Sequence, residues 1–344
     1  MKIIFLIFTI PLIHLIRNLD IIPIAMSLDN NFIYQTIVSI ISIIENKNPT
    51  TKYIFYIMFP PNFNKENKDK LKSLEKKYKN QCTINLIDMG NRYKNAPANK
   101  KIPTPTYYRL SLPILLPKVE KIIWLDGDTL THNDLKEMYD INMDNLYFRG
   151  FLDYDNNDID NISIKNDHLI CAGVMLINLE ELRKDNMIKV FEEFIKDHSE
   201  LLHKHDQSII NGLCYNKTDI LPPKFGIYNW VDKTNKNIFI NYNERYHYTN
   251  EELDNAIKNP VVSHCTFKPW NSEKFKYADL WWSYAKKSEF YWSIYFKYSK
   301  TGKKIKKWCY KLKIIISISI FVFFGYILFF KKFKNFFIYK NKNQ

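Results

Sequence analysis

The chain has 344 residues, of which 46% are hydrophobic and 16% aromatic, so it can bury a full core in one large domain or two small ones. Its net charge of +14 suits a nucleic-acid-binding protein, but thirteen lysines lie from Lys297 onward, with no Arg, Asp or Glu among them. The preceding residues carry a net charge of only +1, so no basic face for a phosphate backbone is expected. The five cysteines lack Cys-x-x-Cys spacing, which argues against a structural zinc site or a disulfide framework.

The N-terminus combines a positive charge with an apolar run. Met1-Lys2 precedes the sequence IIFLIFTIPLIHLI, which is typical of a secretory signal peptide. We interpret residues 1–19 as a signal peptide or an N-terminal anchor, and a buried first strand of a cytosolic protein is the alternative. A secretory signal predicts a body that faces a lumen of the endoplasmic reticulum or Golgi type, whereas the alternative predicts the cytosolic face of a membrane.

Strands and helices alternate through the first half of the body. Strands are predicted at 21–26, 53–58, 83–87, 121–125, 147–152, 169–177 and 261–263. Helices are predicted at 32–44, 65–78, 180–184 and 189–197, and a further short helix is introduced by His205-Asp206-Gln207 and ends at Gly212. We expect Ala172-Gly173 to break the strand at 169–177, because glycine weakens strands. The alternation predicts an α/β protein whose mixed, mainly parallel sheet is flanked by helices.

Two carboxylates follow the strand at 121–125. Ligands bind in a crevice at the carboxyl ends of strands in open α/β sheets, so Asp126 and Asp128 would lie at such a ligand site. Hard oxygen ligands on a tight turn suit a Mg²⁺- or Mn²⁺-type ion, which keeps positions for substrate phosphates. Turn chemistry alone is the alternative, because aspartate is common at turns without a metal.

Five motifs occur along the chain. They are Thr106-Tyr-Tyr-Arg109-Leu, Leu125-Asp126-Gly-Asp128, Cys171-Ala-Gly173-Val-Met-Leu-Ile-Asn178, Asp206-Gln207-Ser-Ile-Ile-Asn211-Gly212 and Ser263-His264…Lys268-Pro-Trp270. In this order they resemble glycosyltransferase family 8, the retaining enzymes related to lipopolysaccharide galactosyltransferases and glycogenin. The resemblance covers roughly residues 21–270 and implies the GT-A fold, a Rossmann-like nucleotide-diphospho-sugar transferase domain, over residues 20–290.

The resemblance implies a metal-assisted donor site. Asp126, Asp128 and His264 would hold Mn²⁺, with Mg²⁺ as the alternative, against the pyrophosphate of a UDP-sugar. Such an ion neutralises the departing diphosphate as the glycosidic bond breaks. Lys268 would add a point charge on the same leaving group.

Further donor contacts follow from the resemblance. Asp29 and Asn31 would contact uracil and ribose, and Phe32 would stack near the base. A role as a helix cap is the alternative for Asp29, and the two roles can coexist. Arg109 and Gly173 would line the donor site, with a surface ion pair as the alternative for Arg109.

The resemblance also implies the groups around the reacting carbon. Gln207 would stabilise an oxocarbenium-like centre and Asp206 would bind sugar hydroxyls, while Asp153 would lie near the acceptor. An amide is a poor nucleophile, so we favour a front-face substitution over the double displacement of retaining hydrolases. For Asp153 a plain acidic loop after a strand is the alternative.

These residues imply a hexosyltransferase. It would move glucose or galactose from UDP to a glycan, lipid-linked or protein-linked acceptor, and it would bind no nucleic acid. Cys171 stands where many members have Asn, and Ser208 stands where Asp is frequent. A catalytically inactive membrane protein that binds a UDP-sugar is therefore the alternative.

The C-terminal region is basic and apolar in turn. Residues 291–313 are interpreted as a basic aromatic linker and residues 331–344 as a short basic tail. Between them, residues 314–330 are IIISISIFVFFGYILFF, which at 1.5 Å per residue span about 26 Å. With flanking lysines and aromatics this length predicts a transmembrane helix, and a buried helix is the alternative.

Overall fold

The computed structural model describes residues 19–99, 103–153, 168–241 and 246–312. The chain divides into two compact units, Met1–Ser288 and Glu289–Gln344. The first unit contains both sheets and all the residues singled out for chemistry.

Ten strands are assigned within the described residues. They are β1 (Asp20–Ser27), β2 (Thr51–Phe59), β3 (Cys82–Asp88), β4 (Lys121–Leu125), β5 (Thr129–Thr131), β6 (Phe148–Leu152), β7 (Ile170–Asn178), β8 (Thr218–Ile220), β9 (Ile227–Tyr228) and β10 (Val262–His264). Seven of them form the main sheet in the order β3-β2-β1-β4-β7-β6-β8. Pairing is parallel from β3 to β4 and between β6 and β8, and antiparallel where β7 joins β4 and β6, so the sheet is mixed and mainly parallel, as predicted.

Helices connect the strands. They are α1 (Ile33–Glu45), α2 (Lys65–Lys77), the 3₁₀-helix Thr104–Ser111, α3 (Leu112–Leu115), α4 (Lys136–Tyr139), α5 (Leu179–Lys184), α6 (Met187–Asp197), α7 (Asp206–Leu213), α8 (Asn237–Ile240), α9 (Asn250–Lys258), α10 (Ala278–Lys287) and α11 (Tyr291–Tyr298), with shorter 3₁₀ turns between them. Helix α1 is buried on nearly every side, and its buried residues include Gln35, Thr36, Ser39 and Ser42 beside the aliphatic ones. Helix α9 begins with a capping box in which Thr249 and Glu252 satisfy each other's backbone N–H groups.

The predicted break in the strand at 169–177 is wrong. Strand β7 is continuous through Ala172-Gly173, and the irregularity lies in its neighbour, between Gly150 and Phe151. Glycine is needed at position 173 because another side chain packs against it: a Cβ there would lie 2.4 Å from Cε1 of His264. Glycine in this strand therefore makes room for a side chain from elsewhere, and the ladder continues.

A second, three-stranded sheet with the order β5-β10-β9 stands beside the main one. Strand β5 follows Asp128 directly, and β10 pairs antiparallel to it, with His264 opposite Thr129. Strand β9 pairs parallel to β10, with Tyr228 opposite His264. The sequence patterns predict β10 but neither β5 nor β9.

Two predictions fall largely or wholly outside the described residues. These are the signal peptide or anchor at residues 1–19, of which only Leu19 is described, and the transmembrane helix at residues 314–330. Within the described ranges, no helix has the length and apolar character needed to cross a bilayer. Both assignments stay predictions.

Candidate active site

The turn after β4 is fixed by backbone contacts on both sides. The backbone N–H of Asp126 donates to the carbonyl of Gly173 at 2.9 Å, and that of Thr129 donates to the carbonyl of Asp126 at 3.1 Å. Gly127 is required by close packing, because a Cβ there would lie 2.6 Å from Oγ1 of Thr36 in α1. The two aspartates are thus held on a rigid turn against the start of α1.

Pairing of β10 with β5 brings an imidazole to this turn. His264 Nε2 lies 3.3 Å from Asp128 Oδ1, and one donor atom from each of Asp126, Asp128 and His264 lies within 4.8 Å of the other two. Beyond that ion pair, no group in the described part of the chain donates a hydrogen bond to this buried oxygen. Two carboxylate oxygens and one imidazole nitrogen suit Mn²⁺ or Mg²⁺, so these residues fit a divalent metal ion.

The charges around Asp128 are tightly coupled. Burial would raise the pKa of its carboxyl, but Lys268 and His264 outweigh burial and hold that pKa well below its usual value. Burial would likewise lower the pKa of the His264 imidazole, yet Asp128 and Cys171 raise it well above the ordinary value. Because metal ions bind neutral imidazole, a metal at this cluster takes the place of a proton on His264.

Arg109 holds the second carboxylate of the cluster, Asp126. Its side chain is buried, lies 4.2 Å over the ring of Trp124 and forms ion pairs with Asp126 at 3.1 Å and Asp206 at 2.9 Å. Trp124 Nε1 also donates to Asp126 Oδ1 at 2.8 Å. The surface ion pair considered for Arg109 is wrong, since the guanidinium is buried and joins Asp126 to the buried Asp206.

A hydrogen-bonded group lies at the start of α7. The side-chain oxygen of Gln207 accepts from the backbone N–H of Ala172 at 3.0 Å, and its amide nitrogen donates to Asp153 at 2.7 Å. Tyr228 donates to the other oxygen of Asp153 at 2.9 Å, and Lys204 lies 3.4 Å from that carboxylate. Asp153 itself is buried, and these side chains hold its carboxylate in place.

Asp206, the residue before Gln207, has a buried carboxyl group. Burial raises its pKa to about 6, although the guanidinium of Arg109 acts in the opposite direction and Asp126 adds to the rise. The group therefore exchanges a proton more readily than an exposed aspartate near neutral pH.

The predicted nucleotide loop lies between β1 and α1. Asp29 accepts hydrogen bonds from the backbone N–H groups of Asn31 at 2.8 Å and Phe32 at 3.1 Å, so the capping role considered for it is present. Asn30 joins the loop to α2 by accepting from Asn67 at 3.0 Å. Phe32 meets Trp270 edge to face at 6.1 Å, which links this loop to the segment that carries Lys268.

The structure brings most of the predicted residues into one connected cluster. Its members, linked by contacts or close approach, are Arg109, Asp126, Asp128, Asp153, Gly173, Asp206, Gln207, His264 and Lys268. Asp29 and Asn31 form a separate local group with Phe32. The sequence patterns missed Tyr228, Trp124 and Lys204, and only Trp124, two residues before Asp126, could have been noticed.

Comparisons with known proteins agree on one family. A family model described as Glycosyl transferase family 8 matches residues 23–274. A lipopolysaccharide 1,2-glucosyltransferase of Escherichia coli is 28% identical over 264 residues, covering 72% of this chain and 73% of that protein. General stress protein A of Bacillus subtilis is 23% identical, covering 78% of this chain and 94% of that protein.

Two further comparisons show how far the similarity extends. A relative in Haemophilus influenzae is 29% identical over 209 residues, and the match spans 59% of this chain but only 62% of that protein. The crystal structure of the galactosyltransferase LgtC, solved with donor and acceptor sugar analogues, aligns with a TM-score of 0.65 at 21% identity. It covers 78% of this chain and 96% of LgtC, and at this identity the likeness concerns the fold, which is of the GT-A type.

Proposed function

This chain belongs to glycosyl transferase family 8, and on that premise we propose that it is a retaining hexosyltransferase. It transfers glucose or galactose from UDP to a glycan, lipid-linked or protein-linked acceptor. The observation that carries the proposal is the convergence of Asp126, Asp128 and His264 within 4.8 Å, with Lys268 in contact with Asp128. These side chains provide the charge needed at a diphosphate leaving group.

The carboxylates and the imidazole hold a divalent ion, Mn²⁺ in first place and Mg²⁺ in second. When bound, such an ion supplies Lewis-acid stabilisation of the negative charge that develops on the leaving diphosphate. Lys268 Nζ lies beside Asp128, so a small movement of its flexible side chain directs its charge to the same phosphates. Arg109 orients Asp126 for this task through an ion pair at 3.1 Å.

The donor's nucleoside lies on the loop between β1 and α1. Asp29 and Asn31 bind uracil and ribose, and Phe32 stacks near the base. Asp29 already orders this turn through two backbone N–H groups, so the loop is preorganised for its ligand. Gly173 lies in the floor of the cluster, where the imidazole of His264 fills the space that a Cβ would take.

The reacting carbon lies above Gln207. The amide of Gln207 is held by Ala172 and Asp153 in a fixed orientation, which lets its dipole stabilise an oxocarbenium-like centre at no cost of reorganisation. Asp206 binds sugar hydroxyls, and Asp153 lies towards the acceptor. The departing phosphate accepts the proton of the incoming hydroxyl in this front-face substitution.

Turnover without an acceptor tests this proposal. The purified protein is incubated with a panel of UDP- and other nucleotide sugars, with Mn²⁺ or with a chelator, and UDP release is measured. Slow hydrolysis of UDP-glucose or UDP-galactose that requires the metal is expected. Binding of every donor without any turnover would instead indicate a sugar-nucleotide-binding protein.

We further propose that the chain attaches to a membrane through residues 314–330. In the preceding helical residues 300–312, Ile305, Trp308 and Leu312 are exposed at helical spacing, on a segment that also carries six lysines. This distribution suits an anionic bilayer surface. A chain that ends at Lys313 should be released by alkaline extraction, and one that resists would move the anchor to residues 1–19.

A further inference from the structure

Cys171 lies against the imidazole that completes the cluster. Its Sγ is 3.5 Å from His264 Nδ1, while Nε2 of the same ring lies 3.3 Å from Asp128. Cys171 is 5% exposed and His264 8%, so water does not compete strongly for this contact. The two ring nitrogens therefore face different partners: sulfur on one side, and the carboxylates on the other.

The ring is also confined above and below. A Cβ at Gly173 would lie 2.4 Å from Cε1 of His264, so the imidazole rests directly on the backbone of β7. The ring of Tyr228 stacks on it with centroids 5.6 Å apart and planes 29° apart. These contacts fix the plane of the ring, but they leave open which nitrogen carries the proton.

Cys171 has the position to decide this. Its sulfur accepts a hydrogen bond from the backbone N–H of Gly173 at 3.4 Å, so the side chain is itself held in place. A hydrogen bond also joins it to the hydroxyl of Tyr228, which donates to Asp153 at 2.9 Å. One chain of contacts thus runs from His264 through Cys171 and Tyr228 to the carboxylate that holds Gln207.

We propose that Cys171 is the positioning residue of His264: its sulfur accepts a hydrogen bond from Nδ1–H and leaves the Nε2 lone pair for the divalent ion. The proposal rests on the proposed function, because it assumes that the cluster binds a metal. Histidine ligands almost always donate their second N–H to an oxygen acceptor, and here a thiol has that place. Sulfur is the weaker acceptor, so the imidazole is held by a softer partner than an amide or carboxylate oxygen.

Deletion of the thiol tests the assignment. In Cys171→Ala the acceptor is lost, and in Cys171→Ser an oxygen acceptor remains. Cys214→Ala is the matched control, because it removes another buried thiol, within the hydrophobic core. Mn²⁺ affinity in the presence of UDP is measured by titration calorimetry, and thermal unfolding is measured in chelator.

Cys171→Ala should raise the Kd for Mn²⁺ by about 10- to 100-fold, which is the usual effect of losing such a supporting contact. The Mn²⁺ concentration for half-maximal UDP-hexose hydrolysis should rise equally, while kcat at saturating metal is largely kept. Cys171→Ser should restore most of the affinity, and Cys214→Ala should leave it unchanged. A merely structural thiol would instead lower the Tm in chelator and leave the metal Kd near that of the parent.

His264→Ala separates this inference from the metal site itself. If His264→Ala weakens Mn²⁺ binding and Cys171→Ala does not, the positioning role is overturned and the metal site stands. If neither variant changes Mn²⁺ binding, the metal site fails, and the positioning role fails with it.

Discussion

The nucleotide loop and the metal cluster are built in opposite ways. Asp29 is bonded to residues two and three positions away, so the loop is a local structure. Asp128 is hydrogen-bonded to Lys268, 140 residues further along the chain, so the cluster forms only when β10 has paired with β5. A change at Asn31 should therefore act mainly on donor affinity, whereas changes in the cluster should act on metal binding and on the fold together.

The largest expected effect is at the centre of the cluster. Asp128→Asn removes a carboxylate that contacts both Lys268 and His264, and should lower metal-dependent UDP release by roughly 10³-fold, because several kcal/mol of charge stabilisation depend on the ion. Asp69→Asn, an exposed aspartate on α2, is the control and should be near normal. Normal metal dependence in Asp128→Asn would remove the cluster from the reaction.

The second largest effect is expected where Gly173 of β7 packs against His264 of β10. Gly173→Ala should lower the free energy of unfolding by about 1–3 kcal/mol, because its Cβ overlaps the imidazole of His264. In a His264→Ala background the same change should cost much less, since the overlapping ring is gone. Denaturant unfolding of the four proteins in this cycle, in chelator, measures the coupling; additive losses would mean that the two residues do not meet.

A buried histidine links the stability of the second sheet to pH. His132 bonds Ser263 of β10 at 2.9 Å, and burial, aided by Lys276, lowers its pKa to about 4. The unfolded chain, with a pKa of about 6.5, binds the proton first as pH falls, so this stability is present above that value and is lost towards pH 4. In His132→Gln, the change in the free energy of unfolding between those two pH values should be smaller by about 1–2 kcal/mol, measured in chelator. An unchanged pH slope would show that His132 titrates alike in both states.

The smallest effects should appear in the nucleotide loop, where one residue should affect donor binding and its neighbour should affect stability. Asn31→Ala should raise the KM for the UDP-hexose by about 5- to 10-fold, the worth of one hydrogen bond, with little change in Tm. Asn30→Ala should do the reverse, because its amide bonds residues at the start of α2. Steady-state kinetics and thermal unfolding of both variants decide this. If Asn30→Ala changed the KM and Asn31→Ala the Tm, the assignment of roles would be inverted.

Much of the main sheet could be predicted from the sequence. The predicted strands at 21–26 and 121–125 correspond to β1 and β4 within a residue or two, because long apolar runs between turns specify strands. The break expected at Ala172-Gly173 was wrong because small residues in a strand indicate a close neighbour as readily as an interruption. That neighbour, His264, lies 91 positions from Gly173 and is invisible to any local pattern.

The sequence by itself determined which chemistry was available. A buried strand followed by Asp126-Gly127-Asp128 puts hard ligands on a tight turn, because strand and turn preferences act over a few residues. Only the tertiary structure decided that Cys171 and Tyr228 both contact the ring of His264, the first by a hydrogen bond and the second by stacking. Its reason is strand register: β10 pairs with β5 and β9 so that His264 stands opposite Thr129 and Tyr228, and a shift by one residue would turn the imidazole to the other face.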